Sequence, residues 1–367
     1  MMTCGGRTPT VWAAPVFVFA TLAAGCGGAA RTGARGPSEA RGVEAAALPF
    51  RMLRARGGQE ITWDAFLAEL DGAAAVCVGE NHRNPHDHWA QLHLLDQLTA
   101  RNRKAGVATA LGMEMFQRPF QGVLDDFAAG RIDEAALLSR SGWKDRWGFD
   151  WALYRPMVVL ARDRGATLLA LNIPRELTKK VSRRGIDKLT PADRGRLPEM
   201  VLDDAEHRAW WDSIMEGLGG GHGQSGSSAD GEEGEEEGDG DEGKKAGGKK
   251  AKGKAEEGDA ARLAADNAAG ERVYAAQVLW DESMAERAST WLRADKTGAG
   301  GGRRRQIVIV AGNGHCHESA IVRRIERRGI AAAVSVRPII DAGDGEVAAL
   351  LAAPENDYLF VMTPPTR

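Results

Sequence analysis

Residues 73–82 read "AAAVCVGENH" and residues 307–315 read "IVIVAGNGH". Each is a short apolar run that ends in Gly-x-x-His, so His82 follows Gly79 and His315 follows Gly312. Short runs of β-branched or small apolar residues bounded by glycine are the pattern of fully buried strands. Such strands belong to parallel sheets covered on both faces. The carboxyl ends of parallel strands share one edge, and open α/β sheets bind their ligands beyond that edge. Two imidazoles from distant parts of the chain are therefore expected side by side.

The chain between these runs alternates apolar and amphipathic segments. Residues 87–104 read as a helix, with Trp89, Leu92, Leu95 and Leu98 near helical spacing. "GVATALGMEM" (106–115) returns to strand character, a polar turn follows at Gln117 to Pro119, and helical candidates lie at about 120–129 and 133–140. A helix at 151–164 precedes "ATLLALNIP", a strand closed by proline. A helical stretch is expected from about 191 to 216. A second helix is expected at 271–292, where Val278, Met284, Ala285, Ala288 and Trp291 supply a core stripe. This order predicts an α/β fold, a largely parallel sheet flanked by helices.

At 367 residues and 43% hydrophobic, the chain is long enough to bury a full core. A formal charge of −3 provides no field that would recruit nucleic acid. Residues 217–260 carry glycine with a block of acids and then a block of lysines, which cannot bury enough apolar surface to fold. They are expected to form a disordered Gly/Glu/Lys insertion, and His222 falls within it.

The N-terminus reads as an export signal over residues 1–25. Val11 to Ala24 is almost wholly apolar or small, with Arg7 before it and Pro15 inside it. It is too short to span a bilayer as a mature helix. It ends in "LAAGC", which looks like the lipobox of bacterial lipoproteins with Ala23 where leucine is usual. Cys26 would then be the lipidated first residue, residues 26–47 a tether, and 48–367 the folded domain. Only Cys77 and Cys316 remain in that body. A bridge between them is open, as is the reading that both are buried small side chains.

Glu114 closes a strand otherwise made of apolar residues, a costly place for a carboxylate that lacks a partner. Glu80 stands two positions before His82, so in extended backbone both side chains point to one side. Glu80, His82, Glu114 and His315 are thus the candidate constellation. Two histidines with one or two carboxylates suit a catalytic divalent metal such as Mn²⁺ or Zn²⁺. The same groups without metal suit general acid and base work. A third reading has the acids capping helices and the histidines bonding loop carbonyls. His86 and His88, around Asp87, belong to the start of the following helix. His93 and His207 read as helix residues, and His317 as a neighbour of His315.

Five segments in order, "VGENHRNPHDHWAQLHLLDQL", "GMEMFQRPFQGVLDDFAAGRIDEAAL", "WALYRPMVVLARDRGATLLALNIPRE", "YAAQVLWDESMA" and "IVAGNGH", resemble the ChaN family of haem-binding lipoproteins. That family is grouped with the Tiki-type proteins, which include metal-dependent peptidases and relatives resembling erythromycin esterases. The similarity covers roughly residues 48–340 apart from the insertion. The resemblance implies a lipid-anchored protein of the bacterial envelope that handles haem or iron, with room for haem at an interface between two copies. Carried over by motif, the superfamily's paired Gly-x-x-His motifs fall on Gly79 with His82 and on Gly312 with His315, and its glutamates on Glu80 and Glu114. No motif places a haem ligand. Tyrosinate suits ferric haem and histidine suits either state; Tyr154, Tyr274 and Tyr358 each read first as packing residues, with Tyr154, in "WALYRP", the preferred exception. A metal-dependent hydrolase of amides or esters, using the same four residues, is the alternative.

Overall fold

The computed structural model describes residues 46–219, 252–294 and 303–364. The expected signal, Cys26 and all but the end of the tether lie outside the described residues, as do residues 220–251 of the insertion. Chain order runs β1 (Phe50–Arg54), β2 (Glu60–Ile61), α1 (Trp63–Leu70), β3 (Ala75–Val78), α2 (Pro85–Ala105) and β4 (Ala108–Gln117). It continues with α3 (Gln121–Ala128), α4 (Glu134–Ser141), α5 (Trp143–Arg146), α6 (Trp151–Asp163), β5 (Thr167–Asn172), α7 (Arg175–Arg184) and α8 (Pro191–Arg194). Then follow α9 (Ala205–Gly219), α10 (Lys252–Arg293), β6 (Arg305–Val310), α11 (Arg323–Arg327), β7 (Ala333–Ile340), α12 (Glu346–Ala352) and β8 (Tyr358–Met362).

These strands form one sheet in the order β2-β1-β8-β7-β3-β6-β4-β5. All pairs from β8 to β5 are parallel, and only β1 runs antiparallel, to β8 and to β2. The two opening motifs are neighbours, because β3 pairs with β6 in a register that sets Val78 opposite Val310. Both lie at the centre of the sheet, which is why every residue of β3 is buried.

Strand alternation sends successive side chains to opposite layers. Val76, Val78, Val308 and Val310 pack with Leu94, Leu95, Leu98 and Met157 on one face. Ala75, Cys77, Ile307 and Ile309 pack with Met284, Ala285, Ala288 and Leu292 of α10 on the other. Each fully buried leucine contributes roughly 1.5–3 kcal/mol of transfer free energy. The expected stripe of α10 is buried at Val278, Met284, Ala285 and Ala288, while Trp291 stays half-buried.

Two boundaries differ from expectation. The stretch 191–216 is not one helix but α8 and α9 with an irregular link, since Gly195 and Pro198 interrupt it and proline removes a backbone donor. Helix α10 begins at Lys252, inside the segment expected to be structureless. By contrast α2 follows its local signals closely: the Asn84 side chain accepts from His86 N, Pro85 takes the first turn, and Gly106 closes it with φ +70°. Among the described residues no helix is long and apolar enough to cross a membrane.

Candidate functional site

The loops after β3 and β6 pack against each other through their glycines. The backbone N–H of Asn313 donates to Glu80 O at 3.0 Å. A Cβ on Gly79 would strike the Asn313 side chain, and one on Gly312 would lie 3.0 Å from His82 Cε1. Each motif thus needs its glycine because the other occupies that space. Gly312→Ala is expected to displace the His82 ring and lower stability by about 1–3 kcal/mol. Thermal melting with NMR titration of His82 checks this; an unchanged melt and an unchanged titration together would sink it.

This packing brings Glu80, His82, Glu114 and His315 together as two carboxylate–imidazole couples. In the first, His82 Nδ1 lies 2.8 Å from Glu80 Oε1, and the Tyr154 hydroxyl donates to the same oxygen at 2.7 Å. In the second, Glu114 Oε1 lies 3.4 Å from His315 Nε2, and Glu114 Oε2 accepts from Gly312 N–H at 2.8 Å. Both glutamates are buried, while the side chains of His82 and His315 keep 17% and 11% of their surface exposed. Trp147 and Phe149 stand against the His82 ring at 4.8 and 4.9 Å between centroids.

Burial pushes both carboxyls up, but the facing imidazoles outweigh it. His88 and His82 hold Glu80 below the usual carboxylate range, and His315 and His82 do the same for Glu114. Burial depresses the imidazoles, yet Glu80 and Glu114 raise His82, and Glu114 with Asp281 raises His315 well above its ordinary value. The shifts favour ionised carboxylates facing protonated imidazoles, most strongly at His315. A protonated imidazole held this way is a general acid, and its neutral form a general base.

A third element completes the second couple. Asp281 of α10, fully buried, faces His315 Nδ1 with Oδ1 at 2.6 Å and His207 Nε2 with Oδ2 at 3.2 Å, with Arg324 at 3.9 Å. Burial raises its carboxyl, but His315, His207 and Arg324 bring it far below the usual range. Gln277 holds the loop by donating to Gly314 O at 3.0 Å. Neither residue was singled out from sequence. Asp281 had a visible signal, since it falls in line with Val278, Met284 and Ala285, and an acid inside an apolar stripe must have a partner.

The remaining expectations divide. His88 does sit on α2, but its buried ring lies 3.5 Å from Glu80 Oε2 and its Nε2 is 3.1 Å from His82 O. His207 is buried at the Asp281 cluster rather than solvent-facing, and its Nδ1 lies 3.2 Å from the Tyr274 hydroxyl. His86 contacts Ala46 O at 2.6 Å, and His93 stacks between Trp63 and Trp89. Cys77 and Cys316 are bonded as a disulfide, which decides the question the sequence left open.

The geometry bears on two site expectations. Tyr154 is fully buried with its hydroxyl donating to Glu80, and burial with the Glu80 charge pushes that hydroxyl far up. Among the described residues no group of three or more His, Cys, Asp or Glu side chains is placed to hold a metal ion. Both Nδ1 atoms face carboxylates, Glu80 for His82 and Asp281 for His315, and His315 Nε2 faces Glu114.

Beside this cluster, between the turn after β1, helix α9 and the loop before β8, lies a pocket of about 330 Å³ lined by Arg56, Trp210, His317, Ser319, Pro354 and Glu355 among others. The His317 ring packs on Trp210 at 4.1 Å, its Nδ1 lies 3.1 Å from Ser319 Oγ, and its buried Nε2 has no partner. Burial pushes the His317 imidazole down to about 3.

The model of a family described as "Haem-binding uptake, Tiki superfamily, ChaN" matches residues 66–325. The structure of ChaN of Campylobacter jejuni with cofacially bound haem is similar at 14% identity and a TM-score of 0.56, covering 86% of this chain and 97% of that one. A mutant of the erythromycin esterase EreC, in its open conformation, aligns at 12% identity and a TM-score of 0.38, covering 87% of this chain and 85% of that one. The first likeness establishes the fold; the second is too distant to argue from. No curated relative matches the chain.

Proposed function

Because the chain belongs to the haem-binding uptake, Tiki superfamily, ChaN family, we propose that it binds an iron porphyrin at the bacterial cell envelope, in iron acquisition or haem handling. The family match over residues 66–325 carries this reading. The lipobox-like "LAAGC" supports lipidation of Cys26 and a membrane anchor, and a disulfide in the body suits an oxidising compartment outside the cytoplasm.

Titrating the full-length chain with haemin, followed by the Soret band, should give a saturable shift at micromolar haemin. Absence of saturation would overturn the reading. Sedimentation of the loaded and unloaded protein reads whether haem draws two copies together.

A second reading rests on the two carboxylate–imidazole couples at the strand ends. In it His82, once neutral, takes a proton from attacking water, and protonated His315 gives one to the leaving group of an ester or amide. The step is written with these side chains alone, since among the described residues no group of three or more ligating side chains is placed to hold a metal ion. Turnover across an ester and peptide panel should be lost in His82→Ala and in His315→Ala. Turnover unchanged by both substitutions refutes this reading.

A further inference from the structure

We infer that Trp147, Phe149 and Arg83 form the seat of a substrate that carries a flat apolar ring and a carboxylate close to the bond that is cleaved. The inference rests on the reading in which His82 and His315 hydrolyse an ester or amide, and it names the substrate class of that site. The seat is built on the loop between α5 and α6. Trp143 O accepts from Trp147 N–H at 2.9 Å and from Gly148 N–H at 3.0 Å, and Gly148 takes φ +83°, which glycine adopts without strain. Trp143 Nε1 donates to Phe149 O at 2.8 Å and fixes the far side of the turn.

The loop thereby sets two rings, 5.3 Å apart between centroids, against the His82 imidazole. Trp147 and Phe149 are only half-buried, at the sheet edge where the His82 and His315 side chains keep their residual exposure. Trp280, also half-buried, meets the His315 ring edge to face at 6.0 Å. Both imidazoles are therefore flanked by incompletely covered aromatic rings beyond the carboxyl ends of parallel strands, where open α/β sheets take their ligands. An apolar wall with a few convergent polar groups is the usual composition of such a site.

Arg83 supplies the charge. It follows His82 in the chain, is exposed, and holds its guanidinium 5.6 Å from the Phe149 centroid. Among the described residues no carboxylate pairs with it. Arg118 after β4 and Arg146 in α5, by contrast, are paired with Glu286 and Glu176. A substrate carboxylate at Arg83 gains a charge-assisted hydrogen bond, and a ring on Trp147 and Phe149 buries apolar area beside His82. With both groups held, the water oxygen bonds to the carbonyl carbon as its proton passes to His82. The bond to the leaving nitrogen or oxygen breaks with its electron pair on that atom, which His315 protonates.

The test uses the full-length chain and probes with and without a bond to cleave. Hydrocinnamate, which has the ring and the carboxylate but no such bond, should bind saturably and shift the NMR signals of the His82 imidazole. Butyrate, which lacks the ring, and hydrocinnamyl alcohol, which lacks the charge, should each bind on the order of tenfold more weakly. N-acetyl-phenylalanine should be hydrolysed with a lower KM than N-acetyl-glycine. Arg83→Gln should weaken hydrocinnamate on the order of tenfold and leave hydrocinnamyl alcohol unchanged, whereas Phe149→Ala should weaken both. If Phe149→Ala fails to fold by circular dichroism, Arg83→Gln, changed at an exposed side chain, carries the comparison. Hydrocinnamate binding that moves the His82 signals without turnover of any ester or amide keeps the seat and removes the hydrolytic reading. Turnover without preference for ring or carboxylate, or hydrocinnamate affinity unchanged in Arg83→Gln, overturns the seat and leaves hydrolysis standing. A wild type that does not bind hydrocinnamate also overturns the seat.

Discussion

Cys77→Ser/Cys316→Ser is expected to lower unfolding stability by about 2–5 kcal/mol, seen as a fall in the denaturant midpoint. The bridge joins residues 239 apart in sequence with Cα atoms 5.3 Å apart. A cross-link that closes so long a loop removes a large share of the unfolded chain's freedom, and that share grows with the logarithm of loop length. Each sulfur is about 1% exposed, so reductant should not open the bridge until the fold opens, and thiol counting on the native protein should find it protected. The bridge also pins the strand leading to Glu80 and His82 to the loop that carries His315. A second effect should therefore appear at the site: the raised His315 titration should move toward the ordinary imidazole value as its contact with Glu114 loosens. A midpoint equal to wild type would sink the stability claim, and an unmoved His315 titration would sink the claim of coupling.

What could be read from the chain depended on whether a contact leaves a local trace. The centre of the sheet was legible because β3 and β6 are buried on both faces and so are apolar throughout, and because each ends at a glycine. Glu114 was legible for the converse reason, a charge where only apolar residues are expected. Strands β1 and β7 were not: β1 is five residues with arginines at its second and last positions, and β7 carries Pro338 inside it. Short edge strands and a proline break the alternation on which strand reading rests.

Contacts across long separations were illegible where no repeated motif marks them. Nothing in "WALYRP" shows that Tyr154 will reach Glu80, 74 positions away, because that contact is set by how α6 packs on the sheet. For the same reason the pairing of Cys77 with Cys316 was left open, since bridging requires a Cα separation no sequence states. Both outcomes change the chemistry assigned to those residues. Tyr154 donates to a buried carboxylate, and the cysteines hold the site's two halves instead of only filling space.

Asp281→Ala is the other substitution with a large expected effect, a loss of about 3–5 kcal/mol, because it removes a buried charge partner of His315 and Arg324, leaving them Glu114 and Glu282. Arg324 is 1% exposed, and His315 and His207 both face the carboxylate that would be removed. The loss is a truncation penalty; an apolar replacement of the whole cluster would cost far less. Its pH dependence follows from two opposite shifts. The Asp281 carboxyl is depressed in the fold, so its contribution is present above the unfolded value of about 3.9 and fades as pH falls below it. His315 is raised, so its contribution is complete below about 6.5 and fades as pH rises through its higher folded value. The difference between wild type and variant should thus be largest from about pH 4 to 6.5 and shrink on both sides, as read by denaturant unfolding across that range. Asp281→Asn, which keeps shape and removes charge, should show the same pH profile at smaller amplitude. A difference that stays flat with pH would mean that Asp281 acts by packing alone and that His315 does not owe its charge to it.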